Sequence, residues 1–88
     1  MAKVDSIGIV EVQHFAKALE VLDLMCKSAA IKLLGHENYL GGRLVILTIG
    51  GKIDQVQAAI EAVSGRELPD VKSALCITNP HGEIMKYI

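Results

Sequence analysis

The sequence of 88 residues has no tryptophan, one phenylalanine and two tyrosines, so aromatics make up 3% of it while hydrophobic residues make up 51%. Its apolar content is therefore aliphatic, and a chain this short cannot easily bury that much of it in a core of its own. The surplus predicts an apolar surface that meets another protein, most simply another copy of the chain. Net charge is lacking too: nine Lys and Arg stand against ten Asp and Glu, giving -1. With no basic cluster interleaved with aromatics, the composition argues against nucleic acid as a partner.

No run approaches the roughly 20 apolar residues of a membrane span, and the opening "MAKVDSIGIVEV" lacks the charged-then-apolar layout of a secretory signal. The chain is therefore expected to be soluble and cytoplasmic, with no membrane partner. Its two cysteines, Cys26 and Cys76, stand apart without CxxC or Cys-His spacing. That pattern fits neither a zinc site nor a disulfide framework, and predicts buried, reduced thiols.

What is present is a clear order of elements. Ser6 to Val12, "SIGIVEV", alternates in polarity and is rich in Ile and Val, which predicts a strand. In "HFAKALEVLDLMCKSAA", Phe15, Leu19, Leu22 and Cys26 recur at helical spacing, with Ala18, Met25 and Ala29 widening the stripe. Ile31 to Glu37 and Arg43 to Ile49 read as two strands of a hairpin joined by "NYLGG". A turn at Gly50 and Gly51 leads to a helix through Ile53, Val56, Ile60 and Val63, opened by Asp54 and stopped at Gly65. After the loop "RELPD", Val71 to Thr78 is a fourth strand, and "NPHGEIMKYI" begins with a Pro-containing turn and ends in a short C-terminal extension of undefined form. The β-α-β-β-α-β order predicts an α+β, ferredoxin-like split βαβ fold: a four-stranded antiparallel sheet with both helices on one face and the other face uncovered.

Groups suited to catalysis are scattered. His14, His36 and His81 lie in three different segments, and none is spaced from another as two ligands on one helical face would be. His14 and His81 are expected in exposed turns. His36 and Glu37 are strand neighbours that point to opposite faces. No serine has a GxSxG context and no GxxxxGK[ST] loop occurs; Gly50-Gly51-Lys52 is only a weak anion-site signal. The expectation is no enzyme, no catalytic residues, no metal and no cofactor. The connection "NYLGGR" differs in kind. Gly41 and Gly42 give a loop tip without side chains, either an ordinary turn or a place where another backbone comes close. Arg43 beside it either pairs with Glu37 across the hairpin or stays free.

Taken in order, "SIGIVEV", "CKSA", "IKLLGHE", the glycine loop, "GGKIDQVQAAIEA" and "VKSALCITNPH" resemble the bacterial microcompartment shell proteins in their single-domain form. The resemblance runs through most of the chain and implies one shell domain over residues 1–88. It implies cyclic hexamers that tile around enclosed enzymes, with a central pore for metabolites and other shell proteins as partners. On it, Tyr39, Leu40, Gly41, Gly42 and Arg43 are the pore loop, while Lys27, Asn79, Pro80 and His81 are the hexamer edge. The departures are specific. Asn79 stands where the family has an edge arginine and Ala30 where an asparagine is common, which implies weaker self-tiling and a minor-component role. The second helix and its exit loop are about two residues shorter than usual, and the pore loop about one longer. "LGGR" is closer to a subgroup with Pro-Gly-Lys or Pro-Gly-Arg loops. Some of that subgroup hold an iron-sulfur cluster through a loop cysteine, and Leu40 stands at that position, which implies no cluster here. From the residues alone, a small ferredoxin-like regulatory module binding a ligand as a dimer is the alternative.

Overall fold

A computed structural model describes residues 5–64 and 68–88. The elements are β1 (Ser6–Gln13), α1 (Phe15–Ser28), β2 (Lys32–Tyr39), a single 3-10 turn (Leu40–Gly42), β3 (Leu44–Gly51), α2 (Ile53–Ser64), β4 (Val71–Thr78) and α3 (Gly82–Met85). The sheet order is β2-β3-β1-β4, with every neighbouring pair antiparallel. Each helix therefore links two parallel strands that have one strand between them. Two right-handed crossovers of that kind place both helices on the same side, as the element order predicts.

Alternation sorts the strands cleanly. Val10 and Val12 of β1 and Val45, Leu47 and Ile49 of β3 are buried against Val21 and Met25 of α1 and Val56, Ala59, Ile60 and Val63 of α2. Gly8 shares that face, and there the absence of a side chain is required. A Cβ on it would lie 2.9 Å from both Ile49 Cγ1 and Ile60 Cδ1, so the glycine lets α2 seat closely on the sheet.

Several expectations need correction. The core arc of α1 is Ala18, Val21 and Met25, while Phe15 and Leu19 are 43% and 52% exposed and Cys26 is exposed. At about 100° per residue these two stripes lie roughly a quarter of a turn apart. The helix is apolar over a wider arc than the sheet can cover, so Phe15, Leu19 and Cys26 turn outward, while Leu22 between them is partly buried against the core. Cys76 is only half-buried, its Sγ 3.3 Å from the Ser6 hydroxyl. Gly50 and Gly51 belong to β3 and pair with Ile7 and Ser6, because β1 continues alongside them. Arg43 precedes β3, and β2 extends to Tyr39. The expected helix stop at Gly65 lies outside the described residues.

The face away from the helices is not bare. His81 Nδ1 accepts from the Glu83 N–H at 3.0 Å and opens α3, and the tail beyond runs over the sheet, where Tyr87 and Ile88 wall a cleft with Ile9, Ile46 and Thr48. Ile7, which alternation puts on this face, is fully buried. Among the described residues no helix is long and apolar enough to cross a membrane.

Candidate functional site

The β2–β3 connection is built from three successive residues with positive φ: Leu40 at 54°, Gly41 at 65° and Gly42 at 87°. Glycine takes these angles freely, whereas an L-residue such as leucine meets a cost of roughly 1–2 kcal/mol. The turn closes when the Arg43 N–H donates to the Leu40 carbonyl at 3.3 Å. Its root is fastened on the other side, since the Arg43 carbonyl accepts the His14 N–H at 3.0 Å. His14 itself has φ 72°, and Phe15, the next residue, flanks the loop: a Cβ on Gly42 would sit 3.8 Å from the Phe15 Cβ. The loop tip is thus braced by the β1–α1 turn and carries one large side chain, Leu40, which is 73% exposed.

Tyr39 enters the loop from β2 with its hydroxyl donating to Glu37 Oε2, two residues back on the same sheet face. The carboxylate favours the protonated phenol, and the pKa of Tyr39 is raised chiefly by that hydrogen bond and then by the Glu37 charge. Glu37 is therefore engaged within its own strand. Arg43 is exposed and forms no ion pair with it, so the cross-hairpin pairing of these two residues is not the one adopted.

The second set of candidates lies elsewhere. Lys27, in the last turn of α1, is 2.7 Å from Asp23 Oδ2, and this hydrogen bond and the Asp23 charge raise its pKa. Both side chains are well exposed, so water screens the pair heavily. Asn79 has φ 48°, a left-handed conformation asparagine tolerates better than most residues, and its N–H donates to the Asp5 carbonyl at 2.9 Å. Pro80 follows, and His81 caps α3.

Strand register shows how far apart the two sets are. Gln13 of β1 pairs with Leu44 beside the loop, while Ser6 pairs with Gly51 and Thr78 at the other end. Seven residues of strand separate these ends, about 23 Å. The carbonyl of Ala30, just past α1, would lie 3.3 Å from a Cβ on Gly51, so the end of α1 that carries Lys27 and the chain at Asn79 share the end remote from the loop. The structure brings Tyr39, Leu40, Gly41, Gly42 and Arg43 together at one pole and puts Lys27, Asn79 and Pro80 toward the other.

Residues 6–80 match the BMC domain. The chain belongs to the BMC-domain family. It is 33% identical over 86 residues to the bacterial microcompartment shell protein PduA of Citrobacter freundii, covering 96% of this chain and 91% of that protein. The carboxysome shell protein CcmK2 of Synechocystis sp. is 31% identical over 87 residues, covering 94% and 82%. Among solved structures, a microcompartment protein from Desulfitobacterium hafniense DCB superposes with a TM-score of 0.78 at 28% identity. That match covers 96% of this chain and 46% of the other, so the present chain corresponds to just under half of it.

Two contributors to the loop escape sequence reasoning. His14 and Phe15 brace it from the β1–α1 turn, and a histidine before a helix gives no hint of a positive φ. The exposure of Phe15 and Leu19 has a signal in hindsight, because α1 carries two apolar stripes and a two-layer domain buries only one.

Proposed function

We propose that this BMC-domain protein is a structural subunit of a bacterial microcompartment shell, located in the cytoplasm and formed by one shell domain over residues 1–88. Copies close into a cyclic hexamer with Tyr39, Leu40, Gly41, Gly42 and Arg43 around the axis and Lys27, Asn79, Pro80 and His81 at the rim. The observation that carries this is that the loop residues gather at one pole while Lys27, Asn79 and Pro80 lie toward the other, since a ring subunit needs one pole at the axis and the other at the perimeter. The outward stripe of Phe15, Leu19 and Cys26 supplies apolar surface for a head-to-tail contact between neighbours.

Function then follows from the hole. Gly41 and Gly42 keep the tips slim enough to converge, and six Arg43 side chains make a positive ring that draws small anionic metabolites. Two unit charges about 10 Å apart in water interact by only about 0.4 kcal/mol, so selection comes from the summed ring and partial loss of water rather than from single pairs. Asn79 at the rim, in place of an arginine, makes this subunit a minor component that seats among other shell proteins.

The test is an electron micrograph of the purified protein together with metabolite leakage from compartments carrying Arg43→Glu. The proposal expects six-fold rings and a reversed preference between anionic and cationic solutes. Featureless monomers would remove the shell role, and rings with unchanged leakage would remove the transport role alone.

A further inference from the structure

Leu40 joins three features: a positive φ of 54°, a side chain 73% exposed, and a place at the head of a turn whose next two residues have no side chain. Folding alone rewards none of these, because an exposed aliphatic group in a disfavoured backbone conformation gains nothing from the rest of the subunit. The tip is not loose. The Arg43 N–H closes the turn on the Leu40 carbonyl, and the Arg43 carbonyl is tied to His14. Leu40 and Arg43 therefore stand at the two ends of one braced turn, an apolar residue at one and a cationic residue at the other.

We propose that Leu40 determines the specificity of the pore: six copies form an apolar collar beside the Arg43 ring and select amphiphilic organic anions, namely short-chain carboxylates. This rests on the ring assembly proposed above. The guanidinium meets the carboxylate, and the collar takes up the alkyl tail while disfavouring solutes that hold their water tightly. Each methylene moved from water into apolar contact shifts partitioning by at most about fourfold. An ordinary aqueous hole does the reverse and passes the larger anion more slowly.

The sign of the chain-length dependence is thus diagnostic. With the assembled protein spread across an aperture, relative permeabilities to acetate, propionate and butyrate are read from reversal potentials, and the hexamer is checked by native mass spectrometry. The wild type should show permeability rising with chain length, by about two- to fourfold per methylene. Leu40→Asn, which suits positive φ, should stay hexameric, melt no lower than the wild type, and reverse the order so that permeability falls with size. Arg43→Gln should lower all three anions and keep the rising order. A wild-type hexamer whose permeability falls with chain length overturns the collar alone, as does a Leu40→Asn variant that keeps the rise, loses stability or dissociates. A wild type that forms no hexamer overturns the ring reading, and the collar with it.

Discussion

The main-chain N–H of His14 donates to the carbonyl oxygen of Arg43 across 3.0 Å, tying the β1–α1 turn to the root of the β2–β3 loop. His14 makes this bond from a backbone with φ 72° and ψ 130° that suits glycine. His14→Gly should therefore raise stability, by about 1 kcal/mol as strain relief outweighs added chain freedom. His14→Pro should lower it by about 3 kcal/mol or more, since it removes the donor and forces φ to about −65°. Urea denaturation of both variants checks the pair of signs.

Gly8 gives a test of the fold itself. The Cβ of Gly8→Ala would meet Ile49 and Ile60 at 2.9 Å, and the branched Ile49 side chain has little room to turn aside. Overpacking of this kind costs about 1–3 kcal/mol. A denaturant midpoint equal to the wild type would show that α2 sits further from the sheet than described.

The two stripes of α1 should respond oppositely to substitution. Val21→Ala removes buried volume and should cost about 2 kcal/mol of subunit stability. Leu19→Glu, at a 52% exposed position, should leave the folded subunit within about 0.5 kcal/mol of the wild type while weakening association. Thermal melts paired with sedimentation of each variant separate the effects, and a Leu19→Glu protein that assembles normally would place the stripe outside the contact.

Tyr39 should titrate above the usual tyrosine range, because its proton is held by Glu37. Its folded pKa is raised, so its contribution to stability is fully present below the unfolded tyrosine pKa of about 10 and is lost as pH rises through the folded value. The phenolate absorbance of wild type minus Tyr39→Phe isolates this group, and Glu37→Gln should lower its midpoint.

Much of this was legible in the chain because local and global patterns agree. Alternation in "SIGIVEV" and the Val56, Ile60, Val63 spacing of α2 each match one buried face, and the element order leaves few topologies. The register argument that puts His36 and Glu37 on opposite faces also holds, their partners being successive residues, Leu47 and Ile46. On α1 the pattern misleads, since apolar spacing cannot tell a core stripe from an exposed one, and the large side chains of Phe15 and Leu19 sit on the outward one. The positive φ of His14 and Leu40 has no sequence signature, because leucine rarely takes it and histidine, though enriched there, still lies mostly at negative φ. Gly41 and Gly42 do announce their turn, but nothing local says that Arg43 would leave the strand or that Glu37 would be taken by Tyr39. The tail over the second sheet face depends on contacts far apart in sequence, which no window of residues contains.

The most direct test of the account is the mass of the protein in solution, by sedimentation velocity over a wide concentration range. With a subunit of 9.5 kDa, the account predicts a species six times that mass, about 57 kDa, that persists on dilution. A particle that stays a monomer or a dimer throughout would contradict it.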